Sequence, residues 1–438
     1  MGMKTYQYTA RQFKQRLLSF MEVRNQDPKV VQIVSDILQS VRERGDAAVI
    51  ELTERLDGFK STAADLRIAP EKLRQGARSL SKGDQASIRN AIECVRAFHK
   101  EGLPRNWTGR NPHGATVGER WYPIERVGIY IPAGNVPLVS TVVMTVTLAQ
   151  LAGVPEIAVF SPAGKPGEIS PQMLGGLHLC GVKEVYRIGG AQAVACMAYG
   201  TESIAPVCKI MGPGNAFVAE AQRQVFGTVG IDLIPGPSEA MAIADTTANP
   251  EWLAADLLAQ AEHGSGKEKI FLVSQDAEQI QAVKAAIKKQ LGSLKHATAI
   301  RRVLAEGTLL IEVPSVEAAI EVANLVAPEH LELHVDRSLQ TRMIREIHTA
   351  GAILCGHETP TVLGDFTAGP SHTLPTNRTG RYFSGLKITD FMRRSSIVRY
   401  NRSALKMARS VVETFARLED LDAHGRSMEI RFDSEKTQ

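Results

Sequence analysis

One short segment of the chain combines an amide and an imidazole at the end of a predicted helix. The helix begins after Asn249, a favourable N-cap, with Pro250 in its first position, and it stops at Gly264. Gln260 and His263 are three residues apart and therefore share one helix face. Unpaired carbonyl groups at a helix C-terminus favour a cation. The pair could form half of a metal site, or it could only cap its helix.

A second pair, Glu329 and His330, follows Pro328 and begins a new segment of the chain. Neighbouring residues point in different directions, which suits two bases that act in two different steps. An imidazole is a natural proton acceptor for an alcohol, and a carboxylate can activate a water molecule. An exposed polar pair after a turn is the alternative, and the dipeptide alone does not decide between them.

Two glycine turns lie between a predicted strand and a predicted helix. They are Gly189-Gly190 and Gly212-Pro213-Gly214. The usual dinucleotide fingerprint, Gly-x-Gly-x-x-Gly, is absent. Both turns would leave backbone N–H groups at a helix N-terminus, which suits phosphate. Tight crossover turns without a ligand explain them equally well.

Six motifs, in an ordered set that covers roughly residues 25 to 430, resemble the histidinol dehydrogenase family. Each motif alone is weak, but their common order is highly specific. In chain order they are 212–215 (GPGN), 236–239 (GPSE), 257–264 (LLAQAEHG), 327–332 (APEHLE), 364–376 (GDFTAGPSHTLPT) and 419–424 (EDLDAH).

The resemblance implies a zinc- and NAD-dependent dehydrogenase that oxidises L-histidinol through L-histidinal to L-histidine with two NAD⁺, the last step of histidine biosynthesis. It implies that His330 is the base and that Glu329 activates water. Two imidazoles and a carboxylate are common ligands of catalytic zinc, and a neutral glutamine oxygen is a weak fourth ligand. The implied zinc ligands are Gln260, His263, Asp365 and His424. The implied NAD contacts are Tyr130, Gln192 and Asn215. The implied substrate contacts are Ser238, Gln260, His263, His330, Asp365, His372, Glu419 and His424.

The chain departs from the family pattern beside these residues. Phe366 and Ser371 replace a usual tyrosine and asparagine, the 265–269 segment differs, and Ala133 replaces a glycine. A relative that oxidises another small polar alcohol, such as a sulfonated diol, is therefore an alternative. A catalytically silent metal- or nucleotide-binding protein is a hypothesis of a different class. The intact Glu329-His330 pair argues against it, because a binding protein needs no bases beside a metal.

The composition is that of a globular α/β protein. The 438 residues are 44% apolar and 22% charged, and the net charge of +4 is too small to indicate nucleic acid as a partner. No apolar run approaches the length of a membrane span, and the first residues lack the apolar core of a secretory signal. Five scattered cysteines without a Cys-x-x-Cys pair indicate reduced thiols and a cytoplasmic location.

Strands and helices alternate after residue 126, which predicts right-handed crossovers and parallel sheets. We expect two Rossmann-like α/β domains, one inserted in the other, with helical segments at both ends. The predicted divisions are an N-terminal arm (1–25), a discontinuous first domain (26–130 and 240–385), an inserted second domain with the NAD loops (131–239) and a helical C-terminal tail (386–438). The family resemblance also implies a homodimer whose sites are completed by this tail.

Overall fold

The computed structural model describes residues 2–22, 27–132, 137–164, 167–234, 236–262 and 266–433. The chain forms two compact units, which are described separately. The first contains Met1–Gly102 and Ile124–Phe391, and the second contains Leu103–Pro123 and Met392–Gln438. Within the described residues, every helix is too short or too polar to cross a lipid bilayer.

The described residues form fourteen strands and seventeen α-helices. The strands are β1 (Lys4–Gln7), β2 (Trp107–Arg110), β3 (Thr116–Pro123), β4 (Arg126–Tyr130), β5 (Glu156–Phe160), β6 (Glu184–Tyr186), β7 (Lys209–Met211), β8 (Gly230–Ile231), β9 (Glu239–Ala244), β10 (Lys269–Ser274), β11 (Thr308–Glu312), β12 (His330–His334), β13 (Ala352–Cys355) and β14 (Met392–Arg399). The helices are α1 (Phe13–Met21), α2 (Pro28–Asp57), α3 (Ala63–Leu66), α4 (Pro70–Ser79), α5 (Lys82–Glu101), α6 (Val139–Leu151), α7 (Pro171–Leu179), α8 (Gly190–Tyr199), α9 (Ala216–Val225), α10 (Pro250–Ala261), α11 (Ala277–Gln290), α12 (Ala297–Glu306), α13 (Val316–Val326), α14 (Arg337–Glu346), α15 (Thr361–Phe366), α16 (Arg402–Leu418) and α17 (Asp422–Asp433).

A six-stranded parallel sheet forms one half of the first unit, with strand order β1-β11-β10-β9-β12-β13. Its strands β9, β10 and β11 are largely apolar and buried on both faces, as is usual in a parallel sheet covered by helices. One apolar cluster includes residues of α1, α13 and α14, and another includes residues of α10, α11 and α12. The sheet is therefore covered by helices on both faces.

A five-stranded parallel sheet forms the other half, with strand order β6-β5-β4-β7-β8. It is built entirely from chain that lies between β1 and β9 of the larger sheet. The predicted class, two parallel-sheet α/β folds with one inserted in the other, is confirmed.

The domain limits drawn from the sequence remain predictions. Helix α2, however, packs against a different sheet from the one to which the sequence assigned it. The apolar face of α2, including Val34 and Ile37, shares a cluster with Ile210 and Val218 of the five-stranded half. The sequence grouped residues 26–130 with 240–385 instead. An amphipathic pattern shows which face of a helix is buried, but not which sheet buries it.

The second unit contains a three-stranded antiparallel sheet, with order β14-β3-β2, and the helices α16 and α17. The prediction that the 386–438 tail is helical is therefore wrong for part of it, because Met392–Arg399 is a strand. Most of β14 is exposed, so it has no alternating apolar signal, and its partner Thr116–Pro123 is distant in sequence. The N-terminal arm likewise begins with a strand, β1, before its helix.

Candidate active site

The Glu329-His330 pair stands at the N-terminal end of β12, between β9 and β13. Helix α13 ends at Val326, and its C-cap residue Ala327, with a positive φ of 50°, turns the chain sharply towards Pro328 and the strand. Alternation along β12 then separates its side chains: Leu331 and Leu333 join the apolar cluster on one face. His330 and the two polar residues that alternate with it lie on the other face.

Glu329 is held by the backbone of the neighbouring strand. Its Oε2 accepts a hydrogen bond of 2.9 Å from the N–H of Glu239. Burial raises the pKa of the Glu329 carboxyl well above its usual value, and the charges of Glu239 and Asp365 raise it further, whereas the bond from Glu239 lowers it. A carboxylate with a raised pKa is a stronger base than an exposed one.

His330 lies between two carboxylates. Its Nδ1 is 3.8 Å from Glu329 Oε2, and its Nε2 is 3.6 Å from Asp365 Oδ1. The imidazole is nearly fully buried. It can therefore exchange a proton with a bound ligand in surroundings from which most water is excluded.

Gln260 and Asp365 form the next part of the site. Gln260 lies in the last turn of α10, is 2% exposed, and hydrogen-bonds the Asp365 carboxylate. Its Oε1 has no partner within the described chain. Burial raises the pKa of Asp365 to about 6, the bond from Gln260 lowers it, and the charge of Glu332 raises it. An unpaired amide oxygen beside a carboxylate fits a divalent cation.

His372 is linked to this group by the main chain. Its Nδ1 is 3.1 Å from the carbonyl oxygen of Asp365, and its Nε2 is 3.2 Å from Thr141 Oγ1 in α6. Ser238 directly precedes β9, and its carbonyl oxygen accepts a hydrogen bond from the Lys269 N–H. His263 lies outside the described residues, so its predicted position is untested.

Three further polar residues adjoin the site and were missed in the sequence. His334 Nε2 lies 3.3 Å from Glu332 Oε2 and 3.6 Å from Asp256 Oδ2, and the three could together hold a metal ion. Burial raises the pKa of Asp256 to about 7, with a further increase from Glu332 and a decrease from His334. The sequence offered two signals for them: Glu332 and His334 follow His330 at a spacing of two residues, as on one face of a strand, and Asp256 precedes Gln260 by four residues, as on one face of a helix.

Glu332 also connects this polar row to α15. Its Oε1 accepts hydrogen bonds from the Thr361 N–H at 2.7 Å and from the Thr361 hydroxyl at 2.6 Å. Thr361 begins the short helix that carries Asp365. The carboxylate therefore fixes the element on which a predicted zinc ligand lies.

The two positions that depart from the family pattern differ in their surroundings. Ser371 is buried and its hydroxyl donates to the Met144 carbonyl at 3.3 Å, so it ties its loop to α6. Phe366 is 57% exposed at the end of α15.

Glu419 and His424 lie in the second unit. Glu419 follows α16, His424 is in the first turns of α17, and both side chains are exposed. Their roles in binding substrate and zinc stay predictions.

The predicted NAD residues lie at the carboxyl edge of the five-stranded sheet. Tyr130 ends β4, and the 212–215 turn follows the adjacent strand β7. The chain leaves β4 towards β5 and β6 and returns to β7, so the order of strands reverses between β4 and β7. Such a switch point is where open parallel sheets bind ligands.

The turn after β7 is shaped by close backbone approach. Gly212 has φ of 106°, and a Cβ there would lie 2.3 Å from the Tyr130 carbonyl oxygen. Its N–H donates to Asp232 Oδ2 at 2.8 Å. Asn215 then caps α9, accepting hydrogen bonds from the Phe217 and Val218 N–H groups.

The turn before α8 leaves polar groups ready for a ligand. The Gly190 N–H donates to the Tyr130 hydroxyl at 3.2 Å. Gln192 is 1% exposed, and its Oε1 has no partner in the described structure. The orphaned buried oxygen and the glycine turns fit a dinucleotide at this edge.

Two buried proton acceptors, Glu329 and His330, lie at the six-stranded sheet, and the edge of the five-stranded sheet is suited to a dinucleotide. Together these features indicate an oxidoreductase. Residues 21–432 match the family described as histidinol dehydrogenase. The histidinol dehydrogenase of Agrobacterium fabrum is 41% identical over 424 residues, 97% of each chain. That of Rhizobium meliloti is 42% identical over 399 residues, 91% of each chain.

A solved structure agrees with these relatives. The crystal structure of histidinol dehydrogenase from Elizabethkingia anophelis superposes with a TM-score of 0.94 at 32% identity, covering 99% of each chain. The chain belongs to the histidinol dehydrogenase family and is an oxidoreductase.

Proposed function

We propose that the chain oxidises L-histidinol through L-histidinal to L-histidine, with two NAD⁺ and one water, as the last step of histidine biosynthesis. The observation that carries this proposal is the buried row Glu329–His330–Asp365, with Gln260 beside it. Relatives named histidinol dehydrogenase over nearly the whole chain favour histidinol over a sulfonated diol.

Zinc would be held by Gln260 and Asp365, together with His263 and His424 on the strength of the family resemblance. The unpaired Gln260 Oε1 and the partly buried Asp365 carboxylate support this assignment. A bound zinc ion would act as a Lewis acid that orients the polar groups of the substrate. Ser238, His372 and Glu419 are proposed to position that substrate.

The dinucleotide would bind at the carboxyl edge of the five-stranded sheet, in contact with Tyr130, Gln192 and Asn215. NAD⁺ supplies the hydride acceptor for both oxidations. The buried, unpaired Gln192 Oε1 supports this location.

His330 acts in the first oxidation. An alcohol must lose its hydroxyl proton as its C–H hydride departs, because its pKa is too high for prior ionisation. His330 accepts that proton, and the aldehyde remains. Asp365 and Glu329, 3.6 and 3.8 Å from the ring, stabilise the imidazolium that forms.

Glu329 acts in the second oxidation. Its carboxylate removes a proton from a water molecule as the oxygen attacks the aldehyde carbon, giving the anion of the aldehyde hydrate, which keeps one hydroxyl group. Loss of a second hydride and of the remaining hydroxyl proton yields the carboxylate product. The strong effect of burial on its pKa is consistent with a basic role.

We further propose a cytoplasmic homodimer in which the tail carrying Glu419 and His424 completes the site of the other copy. Helix α16 has an apolar stripe at helical spacing whose members are 44 to 65% exposed: Met407, Val411, Phe415 and Leu418. A second copy of the chain would cover this stripe. All five cysteines are free, as expected in a reducing compartment.

Turnover assays with L-histidinol and with a sulfonated diol test the reaction. The proposal predicts NADH formation that is much faster with L-histidinol in the zinc-loaded protein. Faster turnover of the diol would favour the other substrate. If neither alcohol produced NADH, the chain would be a binding protein and the proposal would fail.

A further inference from the structure

The end of α2 brings a carboxylate to the turn before α8. Asp57 is the last residue of α2, and its Oδ2 lies 3.5 Å from Gln192 Nε2. Tyr130 is near enough to feel this charge: burial raises the pKa of its hydroxyl to about 12, and Asp57 contributes to the increase. Asp57 therefore adjoins two of the residues proposed to contact the dinucleotide.

The position is costly for a carboxylate. Asp57 is partly buried, and burial raises its pKa to about 6. It forms no ion pair within the described chain, and the contact with Gln192 is long. Burying a charge without close partners opposes folding, and such groups cluster at functional sites. Neither the proton transfers nor the metal ligands described above use Asp57.

The N-terminus of α8, in the adjacent turn, has no side-chain cap. Gly189, the N-cap of the ten-residue helix α8, offers no side chain. A Cβ on Gly190 would lie 2.7 Å from Gln192 Oε1, so this buried, unpartnered oxygen lies over the turn. The Gln192 oxygen and the Asp57 carboxylate are both hydrogen-bond acceptors. Together they select a ligand that presents hydroxyl donors.

A ribose presents two adjacent hydroxyl groups of this kind. In other dinucleotide-binding sheets an acidic residue accepts a hydrogen bond from the ribose 2′-hydroxyl, and a phosphate on that oxygen would meet like charge. We propose that Asp57 accepts hydrogen bonds from the adenosine ribose of the bound dinucleotide and thereby makes the chain specific for NAD⁺ over NADP⁺. This inference rests on the proposed function.

Calorimetric titration of the zinc-loaded protein with NAD⁺ and with NADP⁺, without substrate, tests the inference independently of turnover. The full-length chain is expected to bind NAD⁺ at least about tenfold more tightly than NADP⁺. In Asp57→Asn, NAD⁺ binding should weaken about tenfold and the preference should nearly disappear, since the charge and the strongest acceptor are lost. Asp57→Ser should behave in the same way.

Glu54→Gln is the matched control, because it removes the same charge from an exposed position in the same helix. Its preference for NAD⁺ should equal that of the unmodified chain. Melting temperatures confirm that each variant is folded. An unchanged preference in a folded Asp57 variant would overturn the inference while leaving the proposed function intact. If the unmodified chain bound neither dinucleotide, the proposed cofactor site would fail as well.

Discussion

The two parallel sheets use opposite edges for their candidate sites. The five-stranded sheet offers the carboxyl ends of β4 and β7, where the turns at Gly190 and Gly212 both contact Tyr130. The six-stranded sheet offers the amino ends of β9 and β12, where Glu239 and His330 begin their strands. The first edge follows the usual rule for ligand sites in parallel sheets. The second edge lies at the amino ends of its strands, where that rule predicts no site, so its binding properties must come from the side chains placed there.

The chemistry of the two edges differs accordingly. At the carboxyl ends of β4 and β7, the proposed nucleotide edge, the Asp232 carboxylate accepts hydrogen bonds from the Gly212 and Leu233 N–H groups, and the glycine turns present further backbone N–H groups. At the amino ends of β9 and β12, the proposed catalytic edge, carboxyl groups are buried together, and the ion pairs they form within the described chain are all with histidine. This group consists of Asp256, Glu329, Glu332 and Asp365, with His330 and His334. An excess of buried negative charge indicates a cation, whereas exposed amides indicate an anion.

The largest expected effect is the loss of alcohol oxidation when His330 is replaced, with NAD⁺ binding at the other edge unchanged. In His330→Asn, alcohol oxidation should fall by about 10³-fold, because a general base contributes that much. Zinc content and the Kd for NAD⁺ should not change, since neither depends on this proton acceptor. Steady-state kinetics, metal analysis and calorimetry measure the three quantities. The exposed His348→Asn variant is the control and should keep full activity. Equal activity in both variants would show that His330 is not the base.

Glu329→Gln should affect the second oxidation more than the first. The amide cannot take a proton from water, so hydration of the aldehyde should slow by about 10²-fold. NADH formation from L-histidinol should then approach one equivalent, with L-histidinal accumulating, while oxidation of the alcohol persists. An equal decrease in both steps would mean that Glu329 serves positioning alone.

Glu239 tests the cost of buried charge at the catalytic edge. Burial raises its pKa to about 7 from 4.5, hydrogen bonds from the backbone oppose the increase, and its Oε2 has no partner in the described chain. Because folding raises the pKa of this carboxyl, the folded protein holds its proton more tightly than the unfolded chain does. The free energy of unfolding that this adds is fully present below about pH 4.5 and is lost as the pH rises through 7. Metal-free protein should therefore lose on the order of 2–3 kcal/mol between pH 5 and 8 from this group.

In Glu239→Gln this fall in the free energy of unfolding should disappear, because an amide does not ionise in this pH range. The substitution should break no hydrogen bond at Oε2, since that atom has no partner in the described chain. Urea unfolding at both pH values measures it. Glu43→Gln, at an exposed position, should retain the pH dependence of the unmodified chain. A Glu239→Gln variant with the original pH dependence would show that Glu239 does not carry the charge cost.

The smallest effect is expected at the nucleotide edge. Gln192→Met conserves volume but removes the buried amide, so the Kd for NAD⁺ should rise about tenfold. Zinc affinity should be unaffected. Gln279, a buried glutamine of α11 that donates to the Ala248 carbonyl, provides the control substitution to Met. Weaker zinc binding in Gln192→Met would mean that the two edges are not independent.

The sequence predicts the elements that carry strong local signals. Asn249 and Pro250 mark the start of α10, and the predicted alternation of strands and helices after residue 126 is present in both parallel sheets. The strand β12 carries a weaker signal, a five-residue alternation of polar and apolar residues from His330 to His334, which the sequence analysis did not assign to a strand. Only pairing with β9 and β13 makes it a strand, and that pairing spans about ninety residues on one side.

The candidate site was predictable only to the extent that motifs identify residues. Glu329, His330, Gln260 and Asp365 are marked by their motifs and lie near one another in the structure. Asp57 is not, because its neighbour Gln192 is 135 residues away in the chain. A contact of this kind depends on how α2 packs against α8, which no local pattern reports.

The most direct test of the account is the amount of NADH formed per L-histidinol at completion by the zinc-loaded protein. Two bases at the catalytic edge, Glu329 and His330, predict two equivalents of NADH and one of L-histidine. A single equivalent with L-histidinal as the end product, or no NADH at all, would contradict a site in which both residues act.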